Sequence, residues 1–425
     1  MKKNFLSRGF AFLLHQIWNE KRSSTALFLE LLIVSSIVWF LVDGLYVILA
    51  CRAEPTGFDA TNCYKLTLST LDQGSVGYDA SHPTDSAAVA ITDHLALIDL
   101  VRHDEDVELA AYSHRNDPYN ASSQTMGCTV DTFTTTGRYL LVQPDFIRLF
   151  RCTDPEGKHT TEQMAQALER YEVLVSPGAC GEHVDLSRYV GQKAFVSNDS
   201  LHLRIASLVT PVKRFTWEET RDSEVIIIWL NEGYLTDHEY FNLSIRVKAQ
   251  RMPGFEQRMR ERIKSKQWRA GNFYVSDFIA YDQLRTNTES VHDAQIRNYT
   301  VSIVFLLVNV FLGLLGTFWF RTQQRYPEIG IQKAMGATNA DVALRLTSEA
   351  MTIMTAAFLL SMVVSFNIAH AELTDAYQGL TLTAPRFVLC ELTAYVLMTL
   401  IIGLGIWFPM LRATKANPAD VLRGE

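Results

Sequence analysis

Apolar residues in this chain gather into four blocks, at 25–50, 299–320, 350–371 and 387–411, with mixed sequence between them. A membrane-crossing helix needs about 20 mainly apolar residues, and each block is long enough. The shorter apolar run at 225–230 has the length of a buried strand. Between the first two blocks, both periods of soluble structure occur. Residues 64–71 (YKLTLSTL) alternate like a half-buried strand, and within 85–102 Ala88, Ile91, Leu95 and Ile98 recur at helical spacing. A strand at 107–112 completes a β-α-β unit, and further strands are predicted at 203–209, 224–230, 241–247 and 273–275. Phe255, Met259 and Ile263 stripe one face of a charged helix over 255–269. Neither Pro nor Gly interrupts 277–298, so a helix can run from about 278 to 321. That is roughly 65 Å at the α-helical rise, long enough for its outer part to form a stalk; a loop around Thr286, Asn287 and Thr288 is the alternative.

The pattern predicts an α-helical membrane protein with four transmembrane helices and a large α+β extracytoplasmic domain, 51–298, inserted between the first and second spans. Lys and Arg in short loops set the orientation. Lys2, Lys3, Arg8, Lys21 and Arg22 lie in the 1–24 segment, Arg321, Arg325, Lys333 and Arg345 in 321–349, and Arg412, Lys415 and Arg423 in the 412–425 tail. Against these, the short 372–386 loop has only Arg386. Both termini are therefore expected in the cytoplasm, with residues 51–298 and the 372–386 loop outside. Ile48-Leu49-Ala50-Cys51 loosely resembles a lipoprotein cleavage box, but signal peptides have apolar cores of about 7–15 residues close to a short basic start. The first block is longer, begins late and contains Glu30 and Asp43, which favours a retained span.

Composition narrows the function classes. The 425 residues are 48% hydrophobic, 20% charged and 11% aromatic, which excludes a wholly disordered chain. With 22 Gly and 12 Pro the chain is not collagen-like. A net charge of −7 argues against nucleic acid as a partner. The mean hydropathy of +0.03 is the average of apolar spans and a soluble domain. That domain holds 26 Lys and Arg against 35 Asp and Glu, read as a solvated acidic surface.

Candidate chemistry is sparse. There is no G-x-x-x-x-G-K-[ST], H-E-x-x-H or G-x-S-x-G pattern, so neither a phosphate cradle nor a nucleophile elbow is visible and no catalytic residue, metal site or bound cofactor is assigned. His94, His103 and His114 lie near Asp99, Asp104 and Asp106, but Arg102 to Asp106 reads more simply as a solvated loop. Cys51, Cys63, Cys128, Cys152 and Cys180 fall in the outer region and Cys390 in the fourth span; five outer cysteines allow at most two internal bridges, and their pairing is open. Three ionisable groups fall within the spans. Glu30 and Asp43 lie near opposite ends of the first and Glu391 near the outer start of the fourth. Such residues are functional candidates, although snorkelling to the interface accounts for all three positions. Ser361 with Ser365, and Gly313 with Gly316, are small-residue pairs suited to helix packing.

The loop between the second and third spans is the most specific segment. Pro327 suits a first helical turn and Gly336 a C-terminal stop, so 327–335 reads as a short helix. Thr338 and Asp341 form a capping box for the helix that continues into the third span. The short helix would lie at the membrane surface and gain stability by docking on its own bundle or on another protein.

Glu328, Ile329, Gly330, Ile331, Gln332, Lys333, Ala334, Met335, Gly336, Ala337 and Thr338 resemble the E-I-G-I-R-K-A-x-G-A signature of MacB/FtsX-type, or type VII, ABC transporter permeases. The order of one span, an outer domain and three spans also resembles theirs, as does the run Asn417-Pro418-Ala419-Asp420-Val421-Leu422-Arg423 beside their P-x-x-x-L-R ending. The resemblance covers 280–425 well and the outer domain in organisation only. It implies an FtsX-like permease domain at 299–425, a MacB-like periplasmic core domain, and a dimer with a second permease copy or paralogue. It also implies a separate cytoplasmic ABC ATPase that binds ATP and Mg, with membrane lipids and a periplasmic adaptor or effector as further partners. In that family closure of the ATPases pushes on the loop after the second span, which makes Glu328, Ile329, Gly330, Ile331, Lys333, Ala334, Met335 and Gly336 the expected ATPase-coupling element. Gln332 stands where the family commonly has Arg, and Glu30 and Asp43 depart from its apolar first span. Export or extraction of a substrate by mechanotransmission is the expected function. A signalling or scaffold protein that mechanically activates a periplasmic enzyme such as a cell-wall hydrolase is the alternative, and a catalytic membrane enzyme a distant third.

Overall fold

A computed structural model describes residues 21–414 except 116, 121, 131, 182–183, 198–201, 237, 240, 372 and 374–381. The expected C-terminal ending at Asn417 to Arg423, the charges Lys2, Lys3, Arg8, Lys415 and Arg423, and most of the short loop after the third apolar block lie outside the described residues. The chain divides into two compact units, one of residues 50–292 and one that joins 1–49 with 293–425.

The 50–292 unit is built on a twelve-stranded mixed sheet. Its strands are β1 (Cys63–Thr70), β2 (Val107–Ser113), β3 (Thr125–Val130), β4 (Phe133–Val142), β5 (Val173–Val175), β6 (Phe195–Ser197), β7 (His202–Leu203), β8 (Ile205–Leu208), β9 (Ile226–Trp229), β10 (Asn242–Val247), β11 (Arg269–Ala270) and β12 (Phe273–Ala280). They run in the order β11-β12-β1-β10-β2-β4-β3-β6-β7, with β9 beside β4 and β5 joining β9 to β8. Helix α2 (Ala87–Arg102) connects β1 to β2. Both strands pair antiparallel to β10, so the expected β-α-β unit is present but split by a strand from late in the chain.

Period-two alternation builds a core on each sheet face. Ile226 and Ile228 of β9 and Val173 and Val175 of β5 share one core with Ala90, Leu97 and Ile98 of α2. Helix α5 (Phe255–Lys264) closes that core through Phe255 and Met259. The alternate residues Leu174 and Ile227 face Phe146 and Ile147 of α3 (Pro144–Leu149) and Met164 and Leu168 of α4 (Thr161–Glu169). A reciprocal capping box starts α4: Gln163 N–H donates to Thr160 Oγ1 at 3.2 Å, and Thr160 N–H to Gln163 Oε1 at 2.8 Å. The helix expected over 255–269 stops at Lys264, because Ser265 caps it and Lys266 adopts a left-handed φ of 50°. The strand beginning at Phe273 runs on to Ala280 and pairs with β1.

The other unit is helical. Helices α1 (Lys21–Ala53), α6 (Tyr281–Gln324), α8 (Asn339–His370) and α9 (Ala384–Thr414) are each long and apolar enough to cross a membrane. Leu31 and Trp39, Val310 and Leu314, Ile353 and Met354, and Met398 and Ile402 share one core. On α9 the buried residues Ala394, Met398, Ile402 and Ile406 alternate around the helix with exposed Leu392, Val396, Leu400 and Leu404. Helical structure is continuous through Thr286, Asn287 and Thr288, so no loop interrupts α6 there.

Candidate coupling site

Helix α7 (Tyr326–Ala334) follows α6 after the single residue Arg325. Pro327 lies in its first turn, where a missing N–H costs nothing, and Gly336 stops the chain at φ 101°. A side chain at that φ would be strained, which is why the stop needs glycine. Thr338 then caps α8: Asp341 N–H donates to Thr338 Oγ1 at 3.2 Å and Thr338 N–H to Asp341 Oδ2 at 2.8 Å.

Two contacts fix this short helix. Ile329 is buried against Val342 and Leu346 of α8, a three-residue satellite core, and Gly330 beside it is buried. Arg325 is buried at the start of α7, where its guanidinium donates to both carboxylate oxygens of Glu349 on α8, at 2.6 and 3.3 Å. On the other side Ile331 is 49% exposed and Met335 76%, with Glu328 and Ala334 also exposed and Lys333 half-buried. The motif therefore separates into an anchored side, Ile329 and Gly330, and an outward apolar side, Ile331 and Met335. Sequence reasoning missed the Arg325–Glu349 pair, although a carboxylate at the edge of an apolar block was its visible signal.

The ionisable residues of the apolar helices occupy different environments. Asp43 is fully buried and accepts from Arg386 Nε at 2.8 Å and Nη2 at 2.5 Å, so interfacial snorkelling is corrected for Asp43: proximity of the opposite charge, not water, stabilises it. Glu391 is also buried, and neither of its carboxylate oxygens has a hydrogen-bond partner among the described residues; snorkelling is corrected there too. Glu30 is exposed. A Cβ on Gly313 would stand 2.8 Å from Glu30 Oε1, so that glycine makes room for the carboxylate, while around Gly316 there is open space. Ser361 and Ser365 are buried.

Within the 50–292 unit, one segment holds both stretches of chain that lead out of it. Lys213 is fully buried and donates to the Cys51 carbonyl and the Glu54 carboxylate, each at 2.8 Å. Glu54 also accepts from Thr220 Oγ1 at 2.6 Å and Thr220 N–H at 3.1 Å. Burial pushes the Glu54 carboxyl upward, but Lys213 and Thr220 outweigh it and hold it below the usual range. Thr216 Oγ1 donates to Glu289, and Trp217 stacks between Phe215 at 4.9 Å and His292 at 4.0 Å.

The remaining candidate groups are structural. His94 Nδ1 meets the Leu235 carbonyl at 2.7 Å, His103 Nδ1 the Asp99 carbonyl at 2.8 Å, and His114 pairs with Gln124. Among the described residues no three metal-ligating groups converge. Asp106, expected on a solvated loop, is fully buried beneath Arg258 and Arg262. Cys63, Cys152 and Cys390 are free and buried, Cys51 and Cys180 are buried, and the Cys128 side chain lies outside the described residues. Burial pushes the Cys63 and Cys152 thiols up to about 12, which keeps them unreactive.

Residues 300–418 match the FtsX-like permease C-terminal family. Among solved structures, the extracellular domain of the noncanonic ABC-type transporter YknZ from Gram-positive bacteria is similar at 8% identity; the match covers 51% of this chain and 100% of that one, with a TM-score of 0.31. A domain of a protein described as a permease from Porphyromonas gingivalis is similar at 13% identity, covering 52% of this chain and 90% of that one, with a TM-score of 0.24. No curated protein sequence matches the chain.

Proposed function

We propose, on the premise that its FtsX-like C-terminal domain makes this chain a MacB/FtsX-type permease, that it is the membrane subunit through which a separate ABC ATPase moves an extracytoplasmic domain. Members of that family are membrane proteins and generally non-catalytic subunits of ABC transporters, so hydrolysis of ATP with Mg belongs to the partner. The observation that carries the reading is α7: a short helix anchored by Ile329 and Arg325, with Ile331 and Met335 left uncovered. An apolar face of this kind on an otherwise anchored element marks a protein contact. The Leu and Val side chains exposed along α9 support a lipid environment around the bundle, and the Lys and Arg distribution favours cytoplasmic termini.

In this mechanism the ATPase contacts Glu328, Ile331, Lys333 and Met335. Its closure displaces α7, and the Arg325–Glu349 pair together with Ile329 makes α8 follow, while the direct chain link moves α6. At the sheet domain, the 213–220 segment grips Glu54 and Glu289, so movement of either helix is felt by the same piece of backbone. The outcome is export or extraction of a substrate from the periplasmic side by a permease dimer.

Glu328→Arg and Met335→Asp alter only exposed positions. Each is expected to lower ATP-driven activity of the reconstituted complex at least about tenfold, with membrane insertion unchanged. Full activity in both variants would overturn the reading. If coupling fails only in the release of a periplasmic enzyme activity and no substrate moves, the signalling alternative replaces export.

A further inference from the structure

The sheet has an open flank with a specific chemistry. β12 stands near one end of the strand order, where among the described residues β11 covers only Phe273 and Tyr274, and the Trp268 carbonyl takes the next outward N–H, that of Val275, at 3.0 Å. The register between β12 and β1 then shifts, leaving Ser276 as an extra residue, and such a bulge reverses which backbone groups face outward. The Phe278 N–H is held at 2.8 Å by the carboxylate of its own neighbour Asp277.

Helix α5 walls this flank, and its four basic residues divide by position. Arg258 and Arg262 turn inward to Asp106, and Arg262 also meets Asp104. Arg260 and Lys264, one turn apart and exposed, instead line an open groove of about 460 Å³ with Ile263, Phe278, Ile279 and Ala280. Neither Arg260 nor Lys264 forms an ion pair among the described residues. Glu256 and Asp277 also border the groove, and the Asp277 carboxylate accepts from the Phe278 N–H.

We propose that this groove docks an extended segment of a partner polypeptide, added as a strand beside β12, with apolar side chains alternating with carboxylates that face Arg260 and Lys264. The backbone sets the form of the ligand: a strand edge is recognised through N–H and C=O groups that only an extended chain can match. The period of two sets the alternation, since successive side chains of the added strand would face Ile263 and Ile279 or turn away. Arg260 and Lys264, which form no ion pair among the described residues, set the charge. Asp277 occupies the donor of Phe278 in the free protein, which limits indiscriminate edge pairing, and an incoming carbonyl takes its place. All these residues belong to the sheet domain, so the proposal goes beyond the coupling role of α7 and does not depend on it.

The test uses the full chain in detergent micelles and a fluorescent, end-blocked peptide of alternating Val and Glu. Anisotropy should show saturable binding, weakened at least about tenfold by Arg260→Glu with Lys264→Glu, and amide exchange should slow at Phe278 and Ala280. The same peptide N-methylated at alternate residues should not bind. Both substitutions lie at exposed positions, and an unchanged melting curve checks the fold; should the double variant be unstable, Lys264→Gln alone carries the comparison. Absence of saturable binding, equal binding by the N-methylated or by a Val–Lys peptide, or unchanged exchange at β12 would each overturn the proposal.

Discussion

The carboxylate of Asp106 lies under the guanidinium groups of Arg258 and Arg262, at 3.1 and 2.7 Å, and is completely buried. Burial alone would raise its pKa, but the two cations outweigh it and hold the carboxyl below the usual range. The sign of the pH effect follows. A group with a depressed pKa in the fold contributes stability that is fully present above its unfolded value, near 4, and is lost as pH falls through the depressed one. Thermal unfolding of the protein should therefore weaken in acid, and Asp106→Asn should flatten that acid limb; an equally steep limb in the variant would remove Asp106 as its source. In the sequence Asp106 stands in the charged run Arg102-His103-Asp104-Glu105-Asp106 and reads as solvated, because its partners are about 150 positions away on α5. The inward or outward direction of a charge within such a run is set by tertiary packing, which no local period encodes.

At the scale of elements, α1 and α9 are joined by Asp43 and Arg386, buried and bidentate. Removing one member of a buried pair costs about 3–5 kcal/mol because the other charge stays without its counterpart, whereas replacing both with apolar residues is often neutral. Asp43→Ala is thus expected to lower stability in detergent by about that amount, and Asp43→Leu with Arg386→Met to recover most of it; equal losses in the two would show that the pair does not join the helices. Helices α2 and α7, strands β1, β2 and β10 and the capping box at Thr338 were legible in the sequence because each has a local cause: a period, a proline, a glycine stop or a cap. The hairpin of β3 and β4 was not read, although the Thr-rich run Phe133–Val142 had the β-branched content to mark it. Nor were the helix-joining pairs, since Asp43 and Arg386 each look like an isolated charge at the end of an apolar block.

The whole molecule divides between Leu49 and Ala50 and again between His292 and Asp293; the second division falls inside α6, whose 44 residues run unbroken from Tyr281 to Gln324. The helix winds about 3.6 residues per turn, so one added residue turns everything beyond it by roughly 100°, whereas seven added residues leave an angular error of only about 20°. If α6 conveys torsion, inserting alanines after Ala294 should make coupled activity oscillate with insert length, poor at one or two residues and returning near seven. A smooth decline would mean that only reach matters. A helix that conveyed torsion would act as a clock hand as much as a rod: its angular phase, and not merely its span, would be a quantity that the rest of the sequence must keep.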